Sequence, residues 1–225
     1  MEKLWDEAVV LPQVRAILDR HLGAPPQKFM FEGREYTSET FLREVVALPW
    51  DDYLTVTSFQ YAPFWDFTVL DVPDNWKRQD HYFNVPLEDF YLGIRQALDA
   101  GYSVAIDADI SEPGRFMEAD VSFVPTFDIP TGQISQTARE YRFETGSTTD
   151  DHLMHIVGIL PGEKADWFLV KDSWRTAWDG TFDGYFFADG SYIKLKVLAY
   201  LVHRDAVPAL RERLPGSGQQ TMTRS

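Results

Sequence analysis

Cysteine is absent from all 225 residues. Disulfides, thiolate metal sites and a thiol nucleophile supplied by this chain are therefore excluded. No stretch approaches the roughly 18 consecutive apolar residues that a membrane-spanning helix needs. Basic residues are scarce: 21 Lys and Arg stand against 35 Asp and Glu, for a net charge of −14. That balance repels phosphate backbones and anionic lipid, so neither nucleic acid nor membrane is an expected partner. No phosphate-cradling glycine loop, zinc pattern or nucleotide fingerprint occurs, and no metal or other cofactor is expected. The start, MEKLWDEAVV, lacks the basic-then-apolar order of a signal peptide. A cytoplasmic location is the expectation, unless the native N-terminus lies upstream of Met1.

What is present suits a globular protein, with 44% apolar and 15% aromatic residues. Apolar positions at helical spacing (Leu4, Val9, Val14, Ile17, Leu18) predict a helix over residues 3–22, stopped by Gly23 and interrupted near Pro12. Phe29 to Tyr36 reads as a hairpin around Gly33, and Thr37 or Ser38 can cap a helix through Val46. Tyr53 to Phe59 reads as a strand, and residues 60–82 as an ordered connection. Leu87, Phe90, Tyr91, Ile94 and Leu98 share one face of a helix from Leu87 to Ala100, which Gly101 closes before a buried strand from Tyr102 to Ile106. Residues 111–146 show little periodicity and read as a long functional or partly disordered loop. Three strand-like runs follow: His152–Leu160, Trp167–Asp172 and Gly184–Ala188. Residues 192–203 form a last apolar segment with strand at its end. Helices first and antiparallel strands later make an α+β pattern.

Two segments carry chemistry: Thr148-Thr149-Asp150-Asp151-His152-Leu153-Met154-His155 and Phe168-Leu169-Val170-Lys171-Asp172-Ser173-Trp174. A histidine at one strand's start can meet a carboxylate near the end of its hairpin partner. The carboxylate fixes the ring's tautomer and leaves the other nitrogen for proton transfer. His155, at an odd offset, falls on the opposite face and reads as packing or surface. Acids also crowd the stretch from Asp107 to Asp151, read either as a solvated face or as a rim attracting cationic groups such as a peptide amino terminus. Asp107, Asp109 and Glu112 read as strand-end acids in preference to cation ligands, and His81 as structural. The aromatics Phe59, Tyr61, Phe64, Trp65 and Phe67 read as core, with a peptide groove as the alternative.

These two segments resemble the histidine and asparagine sites of papain-like cysteine peptidases, especially the bleomycin hydrolase and aminopeptidase C branch. Further matches are Gly23-Ala24-Pro25-Pro26 to Phe29, Tyr36-Thr37 with Phe41, and Asp51-Asp52-Tyr53. Asn84-Val85-Pro86-Leu87, Ala105-Ile106-Asp107-Ala108-Asp109 and Val202-His203-Arg204-Asp205-Ala206-Val207-Pro208 complete them, so the likeness covers roughly residues 14–208. It implies the C-terminal portion of a papain-like peptidase domain over residues 1–208, then a polar tail over 209–225. The implied fold is an antiparallel barrel-like lobe with N-terminal helices, the cysteine-bearing helical lobe being absent. It assigns catalytic roles to His152 and Asp172 and supporting ones to Ser173 and Trp174, the tryptophan shielding the pair from water.

The sequence departs from that pattern in three places. The family's asparagine is Asp172, the glycine after its Ser-Trp is Arg175, and the nucleophilic cysteine and oxyanion glutamine, which precede this region in the family, have no counterpart here. Without thiolate and oxyanion donors no acyl-enzyme is supported. Ser147, Thr148 and Thr149 lie on the wrong strand to act as surrogates. Three readings stay open: a fragment of a cysteine peptidase, one half of a two-chain peptidase, or a non-catalytic peptide- or protein-binding homologue. Their partners are a peptide, a separate cysteine-bearing lobe, or a second copy of the chain, since relatives of this branch form rings.

Overall fold

The computed structural model describes residues 6–111, 113–163, 165–174 and 180–216. The chain divides into two compact units, residues 1–50 and 51–225.

The first unit contains helix α1 (Glu7–Leu22), strands β1 (Phe29–Phe31) and β2 (Arg34–Tyr36), and helix α2 (Ser38–Phe41), which runs into a π-helical turn at Leu42–Val46. The Asp6 carboxylate accepts from the Ala8 N–H and starts α1, and Gly23 closes it at φ 79°. Pro12 sits inside this helix without ending it. The expected break is absent: Pro12 withholds one N–H from the carbonyl four residues back, and the helix continues through it to Leu22. Thr37 and Thr40 cap α2 reciprocally. Phe29, Phe31 and Tyr36 pack edge-on around Phe41, with centroids 5.1–5.7 Å away.

The second unit is built on one sheet. In chain order its elements are β3 (Tyr53–Thr57), β4 (Asp66–Thr68), β5 (Tyr82–Asn84), α3 (Leu87–Asp99), β6 (Val104–Ala108), β7 (Arg115–Phe116), β8 (Val121–Ser122), α4 (Gln136–Glu144), β9 (His152–Leu160), β10 (Trp167–Lys171), β11 (Tyr185–Asp189), α5 (Gly190–Lys196), β12 (Val197–His203) and α6 (Pro208–Arg211). The sheet order is β4-β5-β3-β12-β6-β9-β10-β11-β8-β7, with all pairings antiparallel except β3–β5 and β8–β11. The expected α+β class takes the form of a mixed chain with a ten-stranded, mostly antiparallel sheet.

One sheet face packs on α3, whose inward side is Leu87, Phe90, Tyr91, Ile94 and Ala97. From the strands come Val56, Val104, Ile106, Met154, Ile156, Phe168, Val170 and Phe186. Alternate residues along β6 and β9 serve this core, as a pleat requires. The β9–β10 ladder shifts by one residue: Leu169 faces Gly158, whereas Val170 faces Ile156.

The stretch 111–146 is ordered where described, in contrast to the loop expected for it. It contains β7, β8 and α4, the last started by Ser135 accepting from Ala138 N–H. The buried residues of α4 are Arg139, Glu140 and Arg142, so an apolar stripe is not what marks its inward face. The segment 192–203 splits into the end of α5 and the whole of β12, with the change at Lys196.

Candidate active site

His152 opens β9 opposite Ala108 of β6. Lys171, the last residue of β10, faces His155, which places Asp172 opposite Met154 and diagonal to His152 on the same sheet face. Across that diagonal His152 Nε2 and Asp172 Oδ1 are 2.9 Å apart. The side chains are 20% and 1% exposed, so the carboxylate is enclosed and the ring keeps one open edge. An ionised carboxylate only accepts, so the bond places a proton on Nε2. Among the described residues nothing bonds Nδ1, and that nitrogen is free to take a proton from a reacting group.

Asp172 is held from two further directions. Its Oδ1 also accepts from the Trp174 N–H at 2.9 Å, and its own N–H donates to Gly184 O at 2.8 Å. The resemblance gave Trp174 a shielding role. Trp174 is 62% exposed, and its contact with the pair is through the backbone N–H. Ser173 is exposed. Arg175, which stands where the resemblance has a glycine, lies outside the described residues, as does Glu112.

Asp109, read from the sequence as a strand-end acid, and Asp151, read as one of the acidic stretch, hold the approach to His152. Buried Asp109 accepts from Ser111 N–H and hydroxyl through Oδ1 (2.7 and 2.8 Å). Through Oδ2 it accepts from Thr149 N–H and hydroxyl (2.6 and 3.3 Å). Asp151 Oδ1 accepts from Ile110 N–H at 2.9 Å. Together they tie the end of β6 to the segment entering β9. Thr149, weighed as a surrogate nucleophile, has its hydroxyl on Asp109. Thr148 is buried. Their signal in the sequence is an Asx turn, Asp-x-Ser, closing a buried strand.

Asp107 points to the other sheet face, with Leu153, its partner across the ladder. Its Oδ1 is buried without a hydrogen-bond partner. Burial, then the neighbouring Asp150, Asp74 and Asp151, push its carboxyl up to about 9. Asp107 thus carries its proton at neutral pH, with Asp150 beside it. Because the folded state holds this proton more tightly than the unfolded chain does, the stabilisation is complete below about pH 4. It is lost as pH rises towards 9. Asp107→Asn should remove that loss, leaving the variant more stable than the parent by about 2 kcal/mol at pH 9 and close to it at pH 5. Urea midpoints at the two pH values check this, and parallel pH profiles would refute it.

Among the described residues no three His, Asp or Glu side chains gather as metal ligands. His81 is exposed and stacks on Tyr82 with centroids 5.0 Å apart. No described helix is long and apolar enough to cross a membrane.

No protein-family model matches this chain, and no curated protein matches it in sequence. Among solved structures it is similar to PepW from Lactobacillus rhamnosis HN001, with a TM-score of 0.66 and 19% identity. The match covers 92% of this chain and 50% of that one, so the chain spans half the length of the structure it resembles. At that identity the likeness establishes a shared fold with part of PepW.

Proposed function

We propose that this chain is the histidine-bearing half of a papain-like cysteine peptidase, of the bleomycin hydrolase or aminopeptidase C branch, and is catalytically incomplete alone. The observation that carries the reading is the enclosed His152–Asp172 bond with Nδ1 left open, in a chain without cysteine. The half-length match to PepW and the motifs spread over residues 14–208 support it.

In this reading the nucleophile arrives from a separate cysteine-bearing lobe. His152 Nδ1 accepts the thiol proton as sulfur attacks the scissile carbonyl, and returns it to the leaving amine. Asp172 keeps the ring in the tautomer and orientation that this needs. Oxyanion donors come with the nucleophile, on the lobe that carries it.

The test is complementation. The purified chain should hydrolyse no fluorogenic peptide. Co-expressed with a polypeptide carrying the glutamine and the cysteine-tryptophan helix start, it should form a complex labelled at cysteine by a thiol-reactive peptide epoxide. His152→Ala in that complex should lower kcat/KM by about 10³-fold. Turnover by the chain alone would remove the claim of incompleteness, and full activity of the His152→Ala complex would remove His152 from the mechanism.

A further inference from the structure

The sheet face opposite the α3 core carries a smaller apolar cluster of Phe59, Leu70, Val72, Leu198 and Ala199, against which Phe143 of α4 packs. Beside it opens a cavity of about 590 Å³. One wall is aromatic. Tyr61 and Phe143 stack with centroids 6.2 Å apart and 24° between planes, and Val72 and Pro73 extend the apolar surface.

This wall is fixed from behind. The buried carboxylate of Glu140 accepts from Gln60 N–H at 2.6 Å and Tyr61 N–H at 2.9 Å, and the Tyr61 hydroxyl donates to Val69 O at 2.9 Å. A preorganised wall spares an incoming group the cost of ordering it.

The charged side chains lining the cavity are Asp71, Glu144 and Asp150, with no Lys, Arg or His among its lining. Asp71 is engaged by Arg78 at 2.9 Å, both largely exposed. Glu144 has no ion-pair partner among the described residues. An anion would meet carboxylates here, and a neutral apolar ligand would leave their charge uncompensated. A hard metal ion would lack three converging ligands among the described residues. Aromatic faces and carboxylates together suit a cation carried on an apolar body.

We propose that this cavity binds an organic cation, a protonated amine or guanidinium on an apolar stem, the stem lying on Tyr61 and Phe143 and the charge towards Glu144 and Asp150. Asp150 stands two residues before His152. If the peptidase reading holds, the occupant is a basic side chain or the amino terminus of a peptide. That identification of the source rests on the reading, and the cation site itself does not.

Calorimetric titration of the full chain with 4-phenylbutylamine, and with neutral 4-phenylbutanol as its uncharged counterpart, tests the site. The amine should bind at least tenfold more tightly, and its affinity should fall as salt rises. Glu144→Gln combined with Asp150→Asn should lower amine affinity at least tenfold, and Tyr61→Ala several-fold, with urea midpoints close to that of the parent. Equal binding of the alcohol, unchanged amine binding by the double carboxylate variant, or no amine binding at all would each overturn the proposal. N-acetyl-arginine amide against phenylalanine amide then separates a basic side chain from an amino terminus. An inactive complemented complex that still binds the amine counts against the peptidase reading alone. An active complex from a chain that binds no amine counts against the cation site alone.

Discussion

Replacing Arg139 by alanine should cost the second unit about 4 kcal/mol, a large part of an ordinary domain's stability. Arg139 is fully buried, and its guanidinium donates to Ser58 O at 2.8 Å, Lys194 O at 2.9 Å and Leu198 O at 2.9 Å. Its plane lies between the rings of Phe59 and Phe90, at 4.6 and 4.8 Å from their centroids. Among the described residues no carboxylate forms an ion pair with it, since neighbouring Glu140 turns to the Gln60–Tyr61 backbone. Burial therefore pushes its proton affinity down. The cation survives on three carbonyl dipoles and two ring quadrupoles. Alanine would open a cavity and leave those carbonyls short of donors in the place where α4, α5 and β12 meet. Lysine, with one point of charge for three separated acceptors, should recover only part of the loss. Arg78→Ala, which breaks an exposed pair with Asp71, should change stability by less than about 0.5 kcal/mol. Urea midpoints measure all three, and equal small effects at both arginines would show that Arg139 does not hold these elements together.

Gly114→Ala should cost about 3 kcal/mol, with the damage concentrated near the β7–β8 edge of the sheet. Gly114 has φ 115°, and a Cβ built there would stand 1.9 Å from Phe123 O, a backbone atom with no rotamer to yield. The same two residues are joined by Phe123 N–H donating to Gly114 O at 3.0 Å. Pushing them apart also disturbs β8, which pairs with Phe187 and Ala188 of β11. Hydrogen exchange at the Phe123 and Phe187 amides should speed up in the variant well beyond that in the α3 core. Uniform acceleration throughout the unit would contradict a local origin.

The sequence was most informative where a run has clear stops or one face of a helix alone is apolar. His152–Leu160 is apolar on both faces, and its strand ends fall where Asp151 and the Pro161-Gly162 turn place them. In α3 the apolar stripe from Leu87 to Ile94 is the buried face. Helix α4 escaped because the rule inverts there. Its inward residues are charged, so periodicity pointed to solvent, and the remaining cue was Ser135 as an N-cap. The α5–β12 segment escaped for the opposite reason. Nearly every residue from Tyr192 to Tyr200 is buried, and a run of apolar residues broken by Lys194 and Lys196 alone carries no helical period to separate helix from strand.

Of the site, residue types and spacing named His152 and Asp172, but their meeting depended on register, which spacing does not fix. Asp109 and Asp151 looked like members of an acidic stretch because each accepts from a backbone N–H 40 or 41 residues away in the chain, a meeting that spacing does not show. The acids around Asp107 and Asp150 and the aromatic at Tyr61 were separately visible. Only the packing of α4 brings them to one cavity.

The one-residue shift between β9 and β10 decides which histidine is the partner of Asp172. Were the ladder to continue from Leu169–Gly158 without it, Asp172 would face His155 and share the side of the sheet with Leu153 and Val157. The extra residue at Val157 reverses that parity and hands the carboxylate to His152. Deleting Val157 would take out the extra residue while keeping Lys171 on His155, so the acid would stay with His152 on a regular ladder; only a slip that keeps Val157 and sets it opposite Val170 would offer the acid the wrong ring.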